Sequence, residues 1–402
     1  MVRVQGSVSD TMAERTQFGV VLILLAAVNA SVAVGQFALG VALAVFLGRW
    51  WVGGVRPPRL GVEFASLALA VWALTMIPLS EEPVRSVVSY RRFYLFTAMW
   101  VVAQVVVGER RRQWAACALL GGAVAVAVAG TGWMWTEHGT LFVTRAVFVS
   151  NAMTSAALLM IAAVVGVAFV VVSRGWRQWL VGAAVVVVIL GLLQTMTRSA
   201  LAGLLVGSAV VAVVACPRRG WWWVVAGAAA VVLVLTTGEH FVPERLWQRI
   251  APETLIEGRN AQARFDMWRA GLRMIAEHPW TGVGDVSLGE LSEPYYDPEP
   301  QRLHGHMHNN LVQVAVIWGL PGLAFFLALF AAQLWAPWSR WRSAQRVGLV
   351  WASGWSLGAL GAVVAFFVAG FTEWYFGDAE PLLMVMAIIG LGAAPLDGDE
   401  RT

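Results

Sequence analysis

The chain has 402 residues, 59% of them apolar and only 13% charged, with a formal net charge of +4 and a mean hydropathy of +0.69. A soluble chain of that length folds as two or three domains and needs charge on about a quarter of its residues to cover them. Composition therefore excludes a soluble enzyme, a disordered chain and a disulfide scaffold. It points to an all-α polytopic membrane protein.

Every cationic side chain is arginine, and the two cysteines, Cys117 and Cys216, both lie in apolar segments where no disulfide framework is expected. A spanning helix needs about 20 mostly apolar residues. Twelve stretches qualify in chain order: 17–33, 35–52, 62–79, 90–107, 114–135, 149–172, 178–196, 199–215, 221–237, 309–334, 347–372 and 379–395. The first begins near Phe18, and a second follows almost at once, so it reads as a retained anchor and not a cleaved signal. The fourth is impure because Tyr90, Arg91 and Arg92 open it.

Arginine in short loops sets the orientation. With the N-terminus inside, inner loops and tails hold 16 of the 28 arginines, among them Arg49, Arg110 to Arg112, Arg218, Arg219 and Arg340. The short outer loops hold five: Arg85, Arg91, Arg92, Arg145 and Arg198. Tryptophans gather at the expected interfaces, at Trp50 and Trp51, Trp133 and Trp135, Trp221 to Trp223, and Trp335 and Trp338. Amphipathic rings favour that depth.

One connection breaks the rhythm. Residues 238–308 form a long polar segment on the expected outer side, which divides the chain into spans one to nine (1–237), the loop (238–308), and spans ten to twelve with a short tail (309–402). Such a loop in a compact chain is usually functional or disordered, and this one is not of low complexity. A short helix is expected over Pro243 to Ile250. Within 261–277, Phe265, Trp268, Leu272 and Ile275 recur at helical spacing, and Pro279 ends that helix. Pro294, Pro298 and Pro300 predict an extended approach to His304.

Outward arginines run against the charge bias and need a reason. Arg198 stands between two apolar spans with almost no loop along which to snorkel. Arg145, Arg91, Arg92, Arg259, Arg264, Arg269 and Arg273 share its side. Lipid headgroups would satisfy any single one, whereas an anion at the outer leaflet would account for several, because a guanidinium fork grips phosphate through two parallel bonds. His304-Gly-His306-Met-His308 leaves three readings open. Alternating histidines could ligate a metal, although neither a nearby cysteine nor a loop carboxylate at ligand spacing completes that set. They could be solvated interfacial rings. Or His308, just before the apolar run Leu311 to Trp318, could open span ten, where a helix N-terminus disfavours protonation and leaves the ring able to act as a base. Outer carboxylates, Glu373, Asp378 and Glu380 included, read mostly as solvated charges with no spacing that marks a catalytic pair. Gly282-Val283-Gly284 reads as a turn with no nucleotide, and Asp397-Gly398-Asp399 as a solubilising tail.

His308-Asn309, nine residues, Gly319, two residues, Gly322, three residues and Phe326 resemble the signature of the bacterial O-antigen ligases at every fixed position. Thr197-Arg198-Ser199-Ala200 is similar to that family's arginine at the outer end of a span. The segments Arg264 to Trp268 and His278 to Gly284 resemble a stretch shared by ligases and O-antigen polymerases. The motifs cover roughly 194–326.

The resemblance implies about 12 transmembrane helices in a GT-C-like fold, with one large periplasmic loop between helices 9 and 10. It implies a metal-free, nucleotide-free inverting glycosyltransferase of the bacterial inner membrane with its active site facing the periplasm, a role in lipopolysaccharide biosynthesis, and no nucleic-acid partner. The donor would be O-antigen on undecaprenyl diphosphate, the acceptor a lipid A–core sugar hydroxyl, and membrane lipid the surrounding partner. His308 would be the base, and Arg198 and Arg264 would hold the diphosphate. Arg259, Arg145, Arg91, His306, His304 and Arg302 follow as second-rank candidates for sugar or phosphate contacts, while Gly319 and Gly322 are expected to permit close helix packing. Rivals with related chemistry are an O-antigen polymerase, which tends to have two sizeable outer loops, and a protein O-oligosaccharyltransferase, usually longer. From another class, a lipid-oligosaccharide flippase would spread arginines through the midplane, where this sequence has almost none.

Overall fold

A computed structural model of the protein describes residues 7–142, 144–216, 220–240, 242–251, 259–297 and 303–396. The described residues are helical, with no strand among them. In chain order the helices are α1 (Ser7–Ala27), α2 (Val32–Trp51), α3 (Glu63–Met76), α4 (Pro83–Tyr90), α5 (Thr97–Val105), α6 (Glu109–His138), α7 (Ala152–Val172), α8 (Trp176–Gln194), α9 (Arg198–Ala215) and α10 (Gly220–Thr237). The long loop adds α11 (Glu244–Ile250), α12 (Arg259–Glu277) and α13 (Gly289–Ser292), and the chain ends on α14 (Asn310–Arg346), α15 (Val350–Ala369) and α16 (Ala379–Ala393).

Seven of the described helices, α2, α6, α7, α8, α9, α14 and α15, are long and apolar enough to cross a membrane, and the apolar stretches at Glu63–Leu79 and Ala379–Ala393 are shorter. The protein is thus a multi-pass helical membrane protein, and among the described residues seven of the twelve expected spans meet that length and composition. The fourth expected span, 90–107, departs most. It breaks into α4, a 3-10 turn over Arg91–Phe96 and the nine-residue α5. Its paired arginines are the reason: Arg92 is drawn into an ion pair with Asp285 instead of lying against lipid. Trp51, Trp133, Trp135, Trp221, Trp222 and Trp335 are exposed on the bundle, as interfacial rings should be.

Small residues set the centre. α7 and α15 are buried nearly all round. A Cβ at Gly207 would lie 2.7 Å from the Gly361 carbonyl oxygen, and one at Gly203 2.7 Å from that of Ala365, so α9 and α15 meet backbone to backbone. Between helices in lipid, where apolar burial gives little net drive, such close approach supplies the attraction. At the arginine-rich end the helices are clamped by polar groups. Glu109 accepts hydrogen bonds from the Trp351 and Ala352 amides at 2.7 and 2.9 Å, closing the N-terminus of α15, and Arg112 donates to the Pro395 carbonyl at 2.6 Å. Buried Arg49 donates to Gln17 at 2.9 Å and pairs with Glu14 at 3.3 Å.

The opposite end carries a break. α14 is interrupted at Gly319, whose φ of 69° is left-handed. A helix that breaks within an apolar bundle frees backbone groups that must find partners. Here the turn after α12 provides them. The Val283 and Gly284 amides donate to the Val316 and Ile317 carbonyls at 2.9 and 3.0 Å, and the Leu320 amide donates to the Pro279 carbonyl at 2.8 Å. The Trp72 indole donates to the Trp318 carbonyl at 2.9 Å. Gly282-Val283-Gly284 is therefore a turn, as expected, and its glycines let two backbones touch. Gly322 permits packing against Trp318 and Trp72, but the task of Gly319 is conformational.

α12 forms where predicted, with its buried face displaced. Met267, Ala270, Gly271 and Met274 face inward, while Phe265 and Leu272, expected on that face, are exposed. Contact with α14 decides this: a Cβ at Gly271 would lie 2.6 Å from Val312, so the small residue takes the contact.

Gly319→Ala combines a positive φ with a Cβ placed 2.5 Å from the Trp280 carbonyl oxygen. The expected loss is about 1–3 kcal/mol or more, read as a lower midpoint of thermal unfolding in detergent. Gly182→Ala, where nothing lies within 4 Å of the added carbon, should leave the midpoint unchanged.

Candidate active site

The end of the bundle that holds the helix break also holds a cavity of about 550 Å³. Five segments line it: the α6–α7 connection with the start of α7, the α8–α9 turn with the start of α9, the start of α12, the histidine loop before α14, and the loop between α15 and α16. Its polar groups are Arg145, Thr197, Arg198, Ser199, Arg264, His304, His308, Thr372 and Glu373, and Met153, Met196, Phe265 and Trp268 are among its apolar ones. One side is cationic and the other carries imidazole and carboxylate.

The cationic side is built from a strained turn. Met196 is left-handed, with φ 49°, in the short connection that reverses α8 into α9. Arg145 clamps this connection, donating from Nε to the Thr195 carbonyl at 3.1 Å and from Nη2 to Thr197 Oγ1 at 2.8 Å. The Ala146 amide adds a bond to the Gln194 carbonyl at 2.9 Å. Thr197 is the residue before α9, so Arg198 stands in the first turn of that helix. There the guanidinium and the helix N-terminus present positive potential together. Arg264, from α12, also lines the cavity but lies beside the carboxylate of Glu373.

The opposite side is centred on His308. Asn309 caps α14, its side chain accepting from the Leu311 and Val312 amides at 2.9 and 3.1 Å. The cap is thus Asn309, and His308 stands just outside the helix with φ 46°. Neighbouring bonds fix the loop: the Met307 amide donates to Gln313 at 2.8 Å, and the Trp268 indole donates to the Met307 carbonyl at 2.9 Å. His308 Nδ1 lies 2.6 Å from Glu373 Oε1, and Arg264 Nη2 lies 3.5 Å from Glu373 Oε2. Glu373 is 4% exposed. Burial alone would raise its pKa, but the hydrogen bond and charge of His308, with Arg264 and His306, outweigh that and hold it below the usual carboxylate range. An ionised carboxylate only accepts, so Nδ1 of His308 carries the hydrogen, and in the neutral form of the ring the lone pair is then on Nε2.

His306 packs against His308 with ring centroids 4.1 Å apart. Burial first, then the charge of His308, lowers its pKa to about 4. One ligand atom each from His306, His308 and Glu373 lies within 4.8 Å of the others, close enough to hold a cation. Asp378, which accepts a hydrogen bond from Thr154 Oγ1 at 3.4 Å, has its pKa pushed up to about 7 by desolvation and by the charges of Glu373 and Glu380.

Of the residues singled out from sequence, the structure gathers Arg145, Arg198, Arg264, His304 and His308 around one cavity. Arg91 is exposed on the 3-10 turn and does not line it. Arg92 is taken by Asp285 at 3.0 Å and lies over Trp374, 5.4 Å from the ring centroid. Arg259 begins α12, where its side chain is outside the described residues, as is all of Arg302. Glu373 is the residue sequence reasoning passed over. It sits among apolar residues between α15 and α16, and its only signal was a carboxylate standing where solvent is scarce.

The fold and cavity define a multi-pass membrane protein with an arginine-bearing pocket facing a histidine–carboxylate pair. The family model described as O-antigen ligase matches residues 183–327, which hold Arg198, Arg264 and His308, so over that segment the chain is similar to the O-antigen ligases. No curated protein matches the chain. The remaining signature positions have visible tasks: Asn309 caps α14, Gly319 breaks it, Gly322 packs, and the Phe326 ring meets Phe376, 5.0 Å away, in the loop that carries Glu373.

Arg145→Ala removes two hydrogen bonds from a charged donor, each worth about 1.5–3 kcal/mol. The unfolding midpoint in detergent should fall by several degrees, with Arg145→Lys recovering part. A midpoint equal to the wild type would show that the turn holds without its clamp.

Proposed function

We propose that the protein transfers O-antigen polysaccharide from undecaprenyl diphosphate to a sugar hydroxyl of lipid A–core, at the periplasmic face of the bacterial inner membrane. The observation that carries this reading is one cavity lined by Arg198, Arg264 and the His308–Glu373 pair, with Arg264 3.5 Å from Glu373. The family match supports the use of a lipid-linked glycan.

The chemistry follows from the groups present. His308 Nε2 removes the proton of the acceptor hydroxyl, and Glu373, bonded to Nδ1, fixes the tautomer and stabilises the imidazolium that forms. The acceptor oxygen attacks the anomeric carbon as the bond from that carbon to the diphosphate oxygen breaks. Undecaprenyl diphosphate leaves, its growing charge met by Arg198, Arg264 and the N-terminus of α9. A diphosphate is already a good leaving group, so no strong acid is required. Glu373 is engaged by His308 and Arg264 and is poorly free to act as a nucleophile, so a single displacement with inversion is expected. Arg145 supports the cationic side by holding the turn. The apolar residues of the cavity, Met153 and Met196 on the α9 side and Phe265 and Trp268 from α12, suit the first units of the lipid tail.

Purified protein with lipid-linked donor and lipid A–core acceptor tests this. Arg198→Ala and Arg264→Ala should each lower turnover about 10²–10³-fold, with lysine recovering only part because it cannot grip phosphate bidentately. His308→Ala should lose turnover yet still bind donor. Glu373→Gln should lower kcat more than it raises KM. Turnover should fall on the acid side, since the base must be neutral to accept a proton. Wild-type rates in both arginine variants would place the diphosphate elsewhere. Growth of the donor glycan in place of product on lipid A–core would mark a polymerase.

A further inference from the structure

We propose that His306, His308 and Glu373 form an inhibitory binding site for a borderline divalent cation, zinc above all, built on the same side chains that carry the proposed base. The inference rests on the reading of His308 as that base, but its binding arm does not.

Two neutral imidazoles and a carboxylate make a donor set suited to zinc, three protein ligands with a fourth position left for water. The three ligand atoms lie within 4.8 Å of one another, and ligands about 2 Å from a common ion need only modest closure from there. The site is sheltered: Glu373 is 4% exposed, and its Oε2 has no hydrogen-bond partner. Arg264 is its nearest cation, at 3.5 Å. The 3.3 Å contact from the His308 amide to His306 Nδ1 is long and cheap to give up. His304 is a further imidazole nearby, its ring 5.5 Å from that of His308.

Inhibition follows whichever nitrogen of His308 the ion takes. A metal on Nε2 occupies the lone pair that would accept the acceptor's proton. A metal on Nδ1 displaces the hydrogen shared with Glu373 and leaves the neutral ring protonated on Nε2, where it can donate but not accept. Zinc also takes Glu373 from Arg264. The charge of Arg264 beside the ion opposes binding, so the site is weaker than a structural zinc centre and reversible.

The experiment uses the full-length protein in detergent, stripped with EDTA, with zinc binding measured by equilibrium dialysis and metal quantification. Wild type should bind one zinc per chain. His306→Ala should bind at least about tenfold more weakly, and Arg264→Gln more tightly, because a repelling charge is gone. Glu373→Gln serves as a second weakened variant should His306→Ala fold poorly, with monodispersity checked for each. In parallel, zinc should inhibit wild-type transfer over the concentration range in which it binds, and EDTA should restore the rate. Equal zinc affinity in wild type, His306→Ala and Glu373→Gln would overturn the site. Stripped enzyme that is inactive until zinc is added would overturn inhibition and the metal-free mechanism together. A fully active His308→Ala protein would instead remove the base assignment while leaving the binding result standing.

Discussion

The site exists because one helix has to stop inside an apolar bundle. α14 carries His308 and Asn309 at its start and breaks at Gly319, and the carbonyls and amide freed there are taken up by residues 279–284. That docking fixes the turn after α12, and with it the placement of α12 over the start of α14. It also builds an aromatic wall, because Trp318, at the break, packs tilted against Phe93 and edge-on to Phe376. Arg92 lies against the same wall and holds Asp285, the residue after the docked turn. Backbone hydrogen bonding in a place without water thus decides where the histidine loop and the Glu373 loop meet.

On the other side of the cavity the constraint is different. The small-residue contacts of α9 with α15 bring the first turn of α9 under the α15–α16 loop, where Ser199 Oγ lies 3.3 Å from the Tyr375 hydroxyl. Arg145 closes the α8–α9 turn from outside. Left-handed residues that are not glycine occur on both sides, at Met196 and His308. Strain of this kind persists only where surrounding contacts over-determine it, and here each is held by named hydrogen bonds around it. The cavity is in this sense preorganised, which is what stabilisation of a departing diphosphate requires.

Much of this was legible in the sequence, for physical reasons. Helices that bury or span read out as apolar runs, and Arg198 and His308 stood out because a cation or an imidazole at the end of such a run is costly without a task, whereas Arg264 stood out through the segment that resembles the ligases. Spacing resolves less well where tertiary contact chooses the face. On α12 the larger apolar side chains suggested Phe265 and Leu272 as buried, yet Gly271 and Ala270 take the contact because α14 comes too close for anything bulkier. Arg91 and Arg92 looked alike in sequence, but a one-residue rotation on a 3-10 turn sends one to solvent and the other to Asp285. Glu373 was hardest to see. Its partner is 65 residues earlier in the chain, no periodicity links the two, and only the fold shows that the carboxylate is buried against a ring.

The central claim is that a lipid diphosphate sits between Arg198 and Arg264 in the cavity that the His308–Glu373 pair also lines. A cryo-EM map of His308→Ala protein with bound undecaprenyl-diphosphate-linked glycan tests it most directly. The account predicts two phosphorus peaks within contact of both guanidinium groups, with the first sugar's anomeric carbon turned toward position 308. Diphosphate density at the arginine-rich end of the bundle, or beside Arg91 on the outer surface, would contradict it.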